Sequence, residues 1–238
     1  MKLAIIGYGK MGHEVEQVAL ERGHQVIATI DNDTEWSERL GLVESADVAI
    51  EFSHPSVALI NIHRTLETGL PLVCGTTGWY AELESITNFC KEKNSTFFYA
   101  SNYSIGVNMF MAVNRHLAQL MNNYHEYDVV MEETHHVYKA DAPSGTAITL
   151  AEDILANNRS KTNWTIELPA QKQELYIKPI RNRNTPGIHT VCWESPIDTI
   201  ELTHTAKGRR GFALGAVIAA EWIKDKKGIF TMKDLLNL

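Results

Sequence analysis

The residues with the most chemistry in this chain fall in one run, Glu132-Glu133-Thr134-His135-His136-Val137-Tyr138-Lys139-Ala140-Asp141-Ala142-Pro143-Ser144-Gly145-Thr146-Ala147. His135, His136 and Lys139 are proton carriers, and they stand just ahead of a Pro-Ser-Gly-Thr turn that opens a helix. Ala142 precedes proline and so avoids helical geometry, which puts the helix start at or just after Pro143. Asp141 and Ser144 are both suitable caps. The N–H groups of Gly145 and Thr146 then face outward from a helix N-terminus, where the dipole favours an anion. The Thr146 hydroxyl is an added donor, and Gly145 has no side chain to block approach. Such a site suits a small acid that is held by its carboxylates and protonated. Taken singly, each group has an ordinary reading: a histidine near a strand end is usually a satisfied polar group, and a lysine a solvated stem. The combination is what points to catalysis. Glu132 and Glu133 precede the histidines on a strand whose faces alternate, and no H-E-x-x-H or C-x-x-C spacing is present, so the sequence supplies no metal site.

A second constellation lies at the start of the chain. Gly7-Tyr8-Gly9-Lys10-Met11-Gly12 matches G-x-G-x-x-G directly after a strand and at the opening of a helix. Gly7 permits the tight turn, Gly9 lets the backbone approach a pyrophosphate, and Gly12 allows close helix–strand packing. Asp31 ends the next strand, where an acid binds the ribose hydroxyls. Asp31 would repel a 2′-phosphate and Asn32 adds no positive charge beside it, so NADH is favoured, with Lys10 leaving NADPH possible. Gly75-Thr76-Thr77-Gly78 follows another strand, at the edge where such sheets bind ligands. Hydride from one site and a proton at the other describe a reductase.

The elements that must position these groups change rhythm midway. Strands at Leu3–Ile6, 25–30, 48–52, 71–74 and 96–100 alternate with helices at 11–22, after Pro55 and at 80–93, implying a doubly wound parallel sheet. One link, Asp31 to Asp47, is short for a crossover with a complete helix. A long helix over 106–124 follows, then a strand over 128–133 and the helix after Pro143, reaching about Asn157. Strand patterns at 164–168, 173–180, 188–193 and 199–204 succeed one another with few helices between, which reads as α+β with a largely antiparallel or mixed sheet. That sheet has a face to cover and so invites packing against a copy of itself. Helices at 212–223 and near 232–236 are expected to return to the first domain. The expected division is a dinucleotide-binding domain of residues 1–104 plus 207–238, and a substrate-binding and oligomerisation domain of residues 105–206.

Composition narrows the classes. At 238 residues and 44% hydrophobic content the chain can bury a full core. A net charge of −7 with scattered Lys and Arg recommends neither nucleic acid nor an anionic membrane as partner. Cys74, Cys90 and Cys192 are odd in number and widely spaced, which argues against structural disulfides and a zinc centre and fits a reducing cytoplasm. A strand pattern from Lys2 onward leaves no room for a signal peptide, and no apolar run approaches the length of a membrane span.

Glu133-x-His135-His136-x-x-Lys139-x-Asp141-Ala142-Pro143-Ser144-Gly145-Thr146-Ala147 resembles the motif of the dihydrodipicolinate (4-hydroxy-tetrahydrodipicolinate) reductase family. Cys74–Gly78, Ala100–Asn108, Glu201–Ala206, Arg181 with Gly187-Ile188-His189, and Phe212–Ala216 carry the likeness over nearly the whole chain. The resemblance implies reduction of a cyclic imine-like dicarboxylate in the diaminopimelate branch of lysine biosynthesis, in a homotetramer. It implies His135 as proton donor or acceptor and Lys139 as proton donor, with His136, Gly145 and Thr146 binding substrate. Gly7, Tyr8, Gly9, Lys10, Met11, Gly12, Asp31, Gly75, Thr76, Thr77, Ala100, Ser101, Asn102 and Tyr103 would contact the cofactor. The chain is shorter than typical members after Asp31, and Asp31 stands where a glutamate is frequent. Competing expectations are an amino-acid dehydrogenase such as a diaminopimelate or aspartate dehydrogenase, and a dinucleotide-sensing regulator.

Overall fold

The computed structural model describes residues 1–238, which divide into two compact units, Met1–Ile105 with Arg209–Leu238, and Gly106–Gly208. The first unit is built on strands β1 (Lys2–Ile6), β2 (Gln25–Ile30), β3 (Val48–Glu51), β4 (Leu72–Cys74) and β5 (Thr96–Tyr99). Its helices are α1 (Lys10–Glu21), α2 (Asp33–Glu44), α3 (Pro55–Glu67) and α4 (Leu83–Glu92). β1, β3 and β4 are short apolar runs buried on both faces, the pattern of a parallel sheet covered on each side. Both cores are filled. Val15, Val18, Ala213, Ala216, Val217 and Ala220 pack one face, while Trp36, Val43, Ala58, Ile62, Leu66 and Ile86 pack the other.

In the second unit, α5 (Ile105–Leu120) and α6 (Gly145–Asn157) accompany β6 (Asp128–His135), β7 (Asn163–Thr165), β8 (Glu174–Arg181), β9 (Gly187–Glu194) and β10 (Thr199–Ala206). The sheet order is β10-β9-β6-β8-β7, with β6 parallel to β8 and antiparallel to β9. Val129, Met131, Ile177, Val191 and Trp193 point inward onto Phe110, Ala118, Leu150, Ala151 and Ile154 of the two helices. β6 alternates buried and exposed positions through its length, and this period of two puts Glu133 and His135 on the same inward face as Val129 and Met131. The chain then returns to the first unit as α7 (Arg210–Ile223), β11 (Gly228–Phe230) and α8 (Met232–Leu236). β11 extends the first sheet beyond β5, giving the all-parallel order β11-β5-β4-β3-β1-β2.

Three local expectations need correction, and one strand is added to them. The short Asp31–Asp47 link holds a complete helix. Asn32 caps α2 immediately after β2, accepting from the Glu35 amide at 3.0 Å, so twelve residues suffice for about three turns. The long helix ends at Leu120 and gives way to a 3₁₀ turn over Met121–Asn123. The strand expected over 164–168 stops at Thr165, whose hydroxyl accepts from the Glu167 amide at 3.1 Å and turns the chain. Finally, β11 is a strand to which no expectation was attached, because three residues carry too little periodicity to register.

Candidate functional site

The nucleotide-type cleft of the first unit lies beyond the carboxyl ends of β1, β3 and β4, where the strand order switches direction around β1. Gly9, Lys10, Met11, Phe52, Ser53, Pro55, Gly75, Thr76 and Thr77 line about 330 Å3 there. The three glycines of the loop have separate reasons. Gly7 sits at φ +89°, and a Cβ on it would lie 2.2 Å from the Phe52 carbonyl oxygen. A Cβ on Gly12 would lie 2.4 Å from the Gly7 carbonyl oxygen. Gly9, by contrast, faces open space. The N-terminus of α1 carries no side-chain cap and no acid in its first turn, so its outward N–H groups suit a pyrophosphate. The Tyr8 amide donates to one Asp31 carboxylate oxygen at 2.9 Å, and the Asp31 amide donates to Glu35 at 2.7 Å. These observations fit a dinucleotide.

Other expected contacts sit differently. The Tyr8 ring packs on His13 at 4.1 Å, and Thr76 is buried with its hydroxyl accepting from the Ser53 amide at 2.8 Å. Thr77 is exposed. Ala100, Ser101 and Asn102 follow β5 at the same strand edge. The Tyr103 side chain is buried in the core with its hydroxyl donating to the Cys74 carbonyl at 2.7 Å, so it braces β4 rather than facing the cleft.

In the second unit the inward face of β6 carries the chemistry. Glu133 is fully buried and serves several donors. Its Oε2 accepts from the Ser144 amide at 2.9 Å, and its Oε1 from both Arg181 terminal nitrogens at 3.2 and 3.1 Å. Arg181 also donates to the Asp141 carbonyl at 2.6 Å, tying β8 to the loop after β6. His135, at the last position of β6, lies with Nε2 3.7 Å from Glu133 Oε2 and 3.3 Å from His189 Nε2 on β9. Its Nδ1 is 3.2 Å from the Pro186 carbonyl oxygen. Ser144 Oγ is 3.0 Å from His189 Nε2 and caps α6 by accepting from the Ala147 amide at 3.2 Å. Ser144, not Asp141, is therefore the cap. Gly145 and Thr146 are the first-turn amides that this cap leaves over, and a Cβ on Gly145 would meet nothing within 4 Å.

Electrostatics divide these groups. Burial pushes the Glu133 carboxyl up, but the Ser144 hydroxyl and amide, Arg181 and His135 outweigh it and hold it below the ordinary range. Burial lowers His135, countered by Glu133 and reinforced by Lys139 and Arg181. His189 is lowered to about 4, first by burial and then by His135. Lys139 Nζ holds both Asp141 oxygens at 2.8 Å and depresses that carboxyl. His136 lies past the end of β6 with a buried Nδ1 that meets no partner.

Sequence reasoning brought His135, His136, Lys139, Gly145 and Thr146 together and offered Ser144 only as a helix cap, but gave no role to Glu133, Arg181 or His189. Its use of strand alternation was also mistaken. Glu133 shares the face of His135 because they are two residues apart, and Glu133, His135 and His189 present ligand-type atoms within 4.8 Å of one another. That donor set is already committed, with both Glu133 oxygens engaged and Arg181 and Lys139 supplying positive charge. Its chemistry is that of a proton network. The signal available in the sequence was the Glu-x-His spacing itself, together with the Arg181 and His189 positions quoted only for resemblance.

Comparison with known proteins now adds identity to geometry. Residues 1–103 match the family description "Dihydrodipicolinate reductase, N-terminus", and residues 106–236 match "Dihydrodipicolinate reductase, C-terminus". The chain belongs to the dihydrodipicolinate reductase family. A 4-hydroxy-tetrahydrodipicolinate reductase of Christiangramia forsetii is 48% identical over 237 residues, covering 100% of this chain and 98% of that protein. One from Lawsonia intracellularis is 32% identical, covering 99% of each. A solved dipicolinate-bound dihydrodipicolinate reductase from Paenisporosarcina sp. TG-14 has a TM-score of 0.78 at 22% identity over 99% of both chains, which shows that this family member shares the fold.

Proposed function

We propose that this chain reduces 4-hydroxy-tetrahydrodipicolinate to tetrahydrodipicolinate, with loss of water, in the diaminopimelate route to lysine. The observation that carries the reading is the α6 N-terminus. Two uncapped amides, at Gly145 and Thr146, open beside His135, His136 and Lys139 in a chain of this family. When bound, the reduced nicotinamide cofactor supplies the hydride. Gly145 and Thr146 N–H groups and the Thr146 hydroxyl hold one substrate carboxylate. His136, whose buried Nδ1 is unpartnered, supplies a further polar contact. Lys139 exchanges Asp141 for the substrate and donates the proton that the anion formed by hydride addition requires. Arg181 and Lys139 also stabilise that negative charge.

NADH is the proposed cofactor. Asp31 and Glu35 place two carboxylates around the ribose position, while Arg39 is spent on the Thr29 carbonyl at 2.6 Å and Arg64 on Asp33 at 2.5 Å. The ratio of specificity constants for NADH and NADPH decides this; a strong NADPH preference would overturn it. We further infer a homotetramer assembled through the outer face of the β8-β6-β9-β10 sheet. There Val130, Tyr176, Cys192 and the Glu132–Lys178 ion pair line a groove of about 460 Å3. No helix is long and apolar enough to cross a membrane, and three free cysteines suit a reducing cytoplasm. The test of function is oxidation of reduced nicotinamide with substrate generated in place by dihydrodipicolinate synthase from pyruvate and aspartate semialdehyde. Synthase-dependent oxidation is expected; cofactor binding without oxidation would return the chain to the dehydrogenase or sensor readings.

A further inference from the structure

His189 is buried, lies outside the His-His-Lys run, and touches the ring that the proposed reaction depends on. We propose that His189 is a positioning residue for His135, donating its Nε2–H to the His135 Nε2 lone pair and keeping His135 an uncharged acceptor, so that Lys139 is the proton donor. This deepens the reductase reading and rests on it only for the catalytic consequence.

The hydrogen-bond directions follow from what each partner is able to do. The Pro186 carbonyl only accepts, so the His135 nitrogen 3.2 Å away, Nδ1, carries the hydrogen. The opposite tautomer would set two lone pairs against each other. Neutral His135 then presents a bare lone pair at Nε2, and the atom facing it at 3.3 Å, His189 Nε2, must bring the hydrogen. Ser144 supports the same assignment. Its oxygen accepts from the Ala147 amide and lies 3.0 Å from His189 Nε2, a second acceptor beside that hydrogen. The His189 Nε2–H therefore lies between two acceptors, His135 Nε2 and Ser144 Oγ.

The surroundings agree from every side. Facing this pair are Glu133 on β6, Arg181 on β8, His204 across from His189 on β10, Lys139 in the loop after β6, and Ser144 at the start of α6. Burial is the largest influence on both rings, and the cations add to it; Glu133 opposes them at both rings, and the Pro186 carbonyl opposes them at His135. A hydrogen bond to the neutral form lowers basicity further. Gly187 shapes the seat, because a Cβ there would come within 2.9 Å of His135 Cε1 and push the ring off His189.

The experiment is nitrogen-15 NMR of histidine-labelled full-length chain without substrate, so its outcome does not depend on the reaction. At neutral pH, His135 is expected with hydrogen on Nδ1 and none on Nε2. His189 is expected with hydrogen on Nε2 and a scalar coupling across the hydrogen bond to His135. His189→Phe keeps a buried ring but removes the donor, and should raise the His135 titration midpoint by roughly one pH unit. Phenylalanine's added burial alone would lower it, so the sign is diagnostic. His189→Gln restores an N–H donor and should return the midpoint toward the parent value. Hydrogen on His135 Nε2 in the parent chain would overturn the proposal even if the Phe variant did not fold. So would a midpoint in His189→Phe at or below that of the parent. Failure of the synthase-coupled assay would instead remove the reductase reading and leave this measurement standing.

Discussion

Replacing Glu133 by Gln tests how the site is held together. The side chain keeps its shape but loses its charge, and the groups hydrogen-bonded to it are all donors: the Ser144 amide and two Arg181 nitrogens. Charge-assisted bonds become neutral ones, each weaker by about 1 kcal/mol. The new NH2 must face either the Ser144 amide or the guanidinium, donor against donor, leaving one more group unpaired at about 1–3 kcal/mol. Arg181 retains some access to water, with its side chain 22% exposed, so the lower part of the range for breaking a buried pair applies, about 3 kcal/mol. For a chain of this size that corresponds to a Tm lower by about 6–12 °C, read by circular dichroism at neutral pH. The pH dependence has a defined sign. A carboxyl with a depressed folded pKa contributes stability above its unfolded value and loses it as pH falls through the folded one. Parent and variant should therefore converge on acidification. A Tm within a degree of the parent at neutral pH, or a gap that persists below the carboxylate range, would refute the assignment of Glu133 as the site's anionic anchor.

Three further outcomes follow from the same geometry. Lys139→Ala should lower turnover by about 10²–10⁴-fold, the scale of a lost proton donor, while NADH binding measured by fluorescence stays near normal; near-normal turnover would remove Lys139 from the mechanism. Gly9→Ala should fold normally but weaken NADH, since its Cβ enters the open cleft, whereas Gly7→Ala should destabilise the chain because its Cβ overlaps the Phe52 carbonyl; urea titrations and cofactor titrations separate the two. His189, with a folded pKa of about 4 against an ordinary 6.5, leaves the unfolded state binding more protons across that window, so stability should fall on acidification from about 6.5 to 4 by on the order of 3 kcal/mol, and His189→Gln should flatten that slope.

Much of this was legible in the sequence for identifiable reasons. The glycine loop, Asp31 and the Pro-Ser-Gly-Thr turn act through backbone geometry within a few residues, and local spacing records such geometry directly. The parallel sheet was legible because its buried strands are continuous apolar runs. Glu133, Arg181, Ser144 and His189 were not assembled because they meet across β6, β8, β9 and α6, and register between strands is invisible in a linear pattern. Glu133 is the instructive miss: the alternation that was used to separate it from the histidines places it beside His135. Tyr103 shows the reverse case, a residue assigned by resemblance to the cofactor whose side chain is occupied in the core.

The most direct test of the account is a crystal structure of this chain with reduced nicotinamide and dipicolinate, a planar analogue of the proposed substrate. The account predicts one dipicolinate carboxylate about 3 Å from the Gly145 and Thr146 amides, with His136 Nδ1 engaged and Lys139 turned from Asp141 to the ligand. Dipicolinate bound elsewhere, or at this place with the α6 amides unengaged, would contradict it.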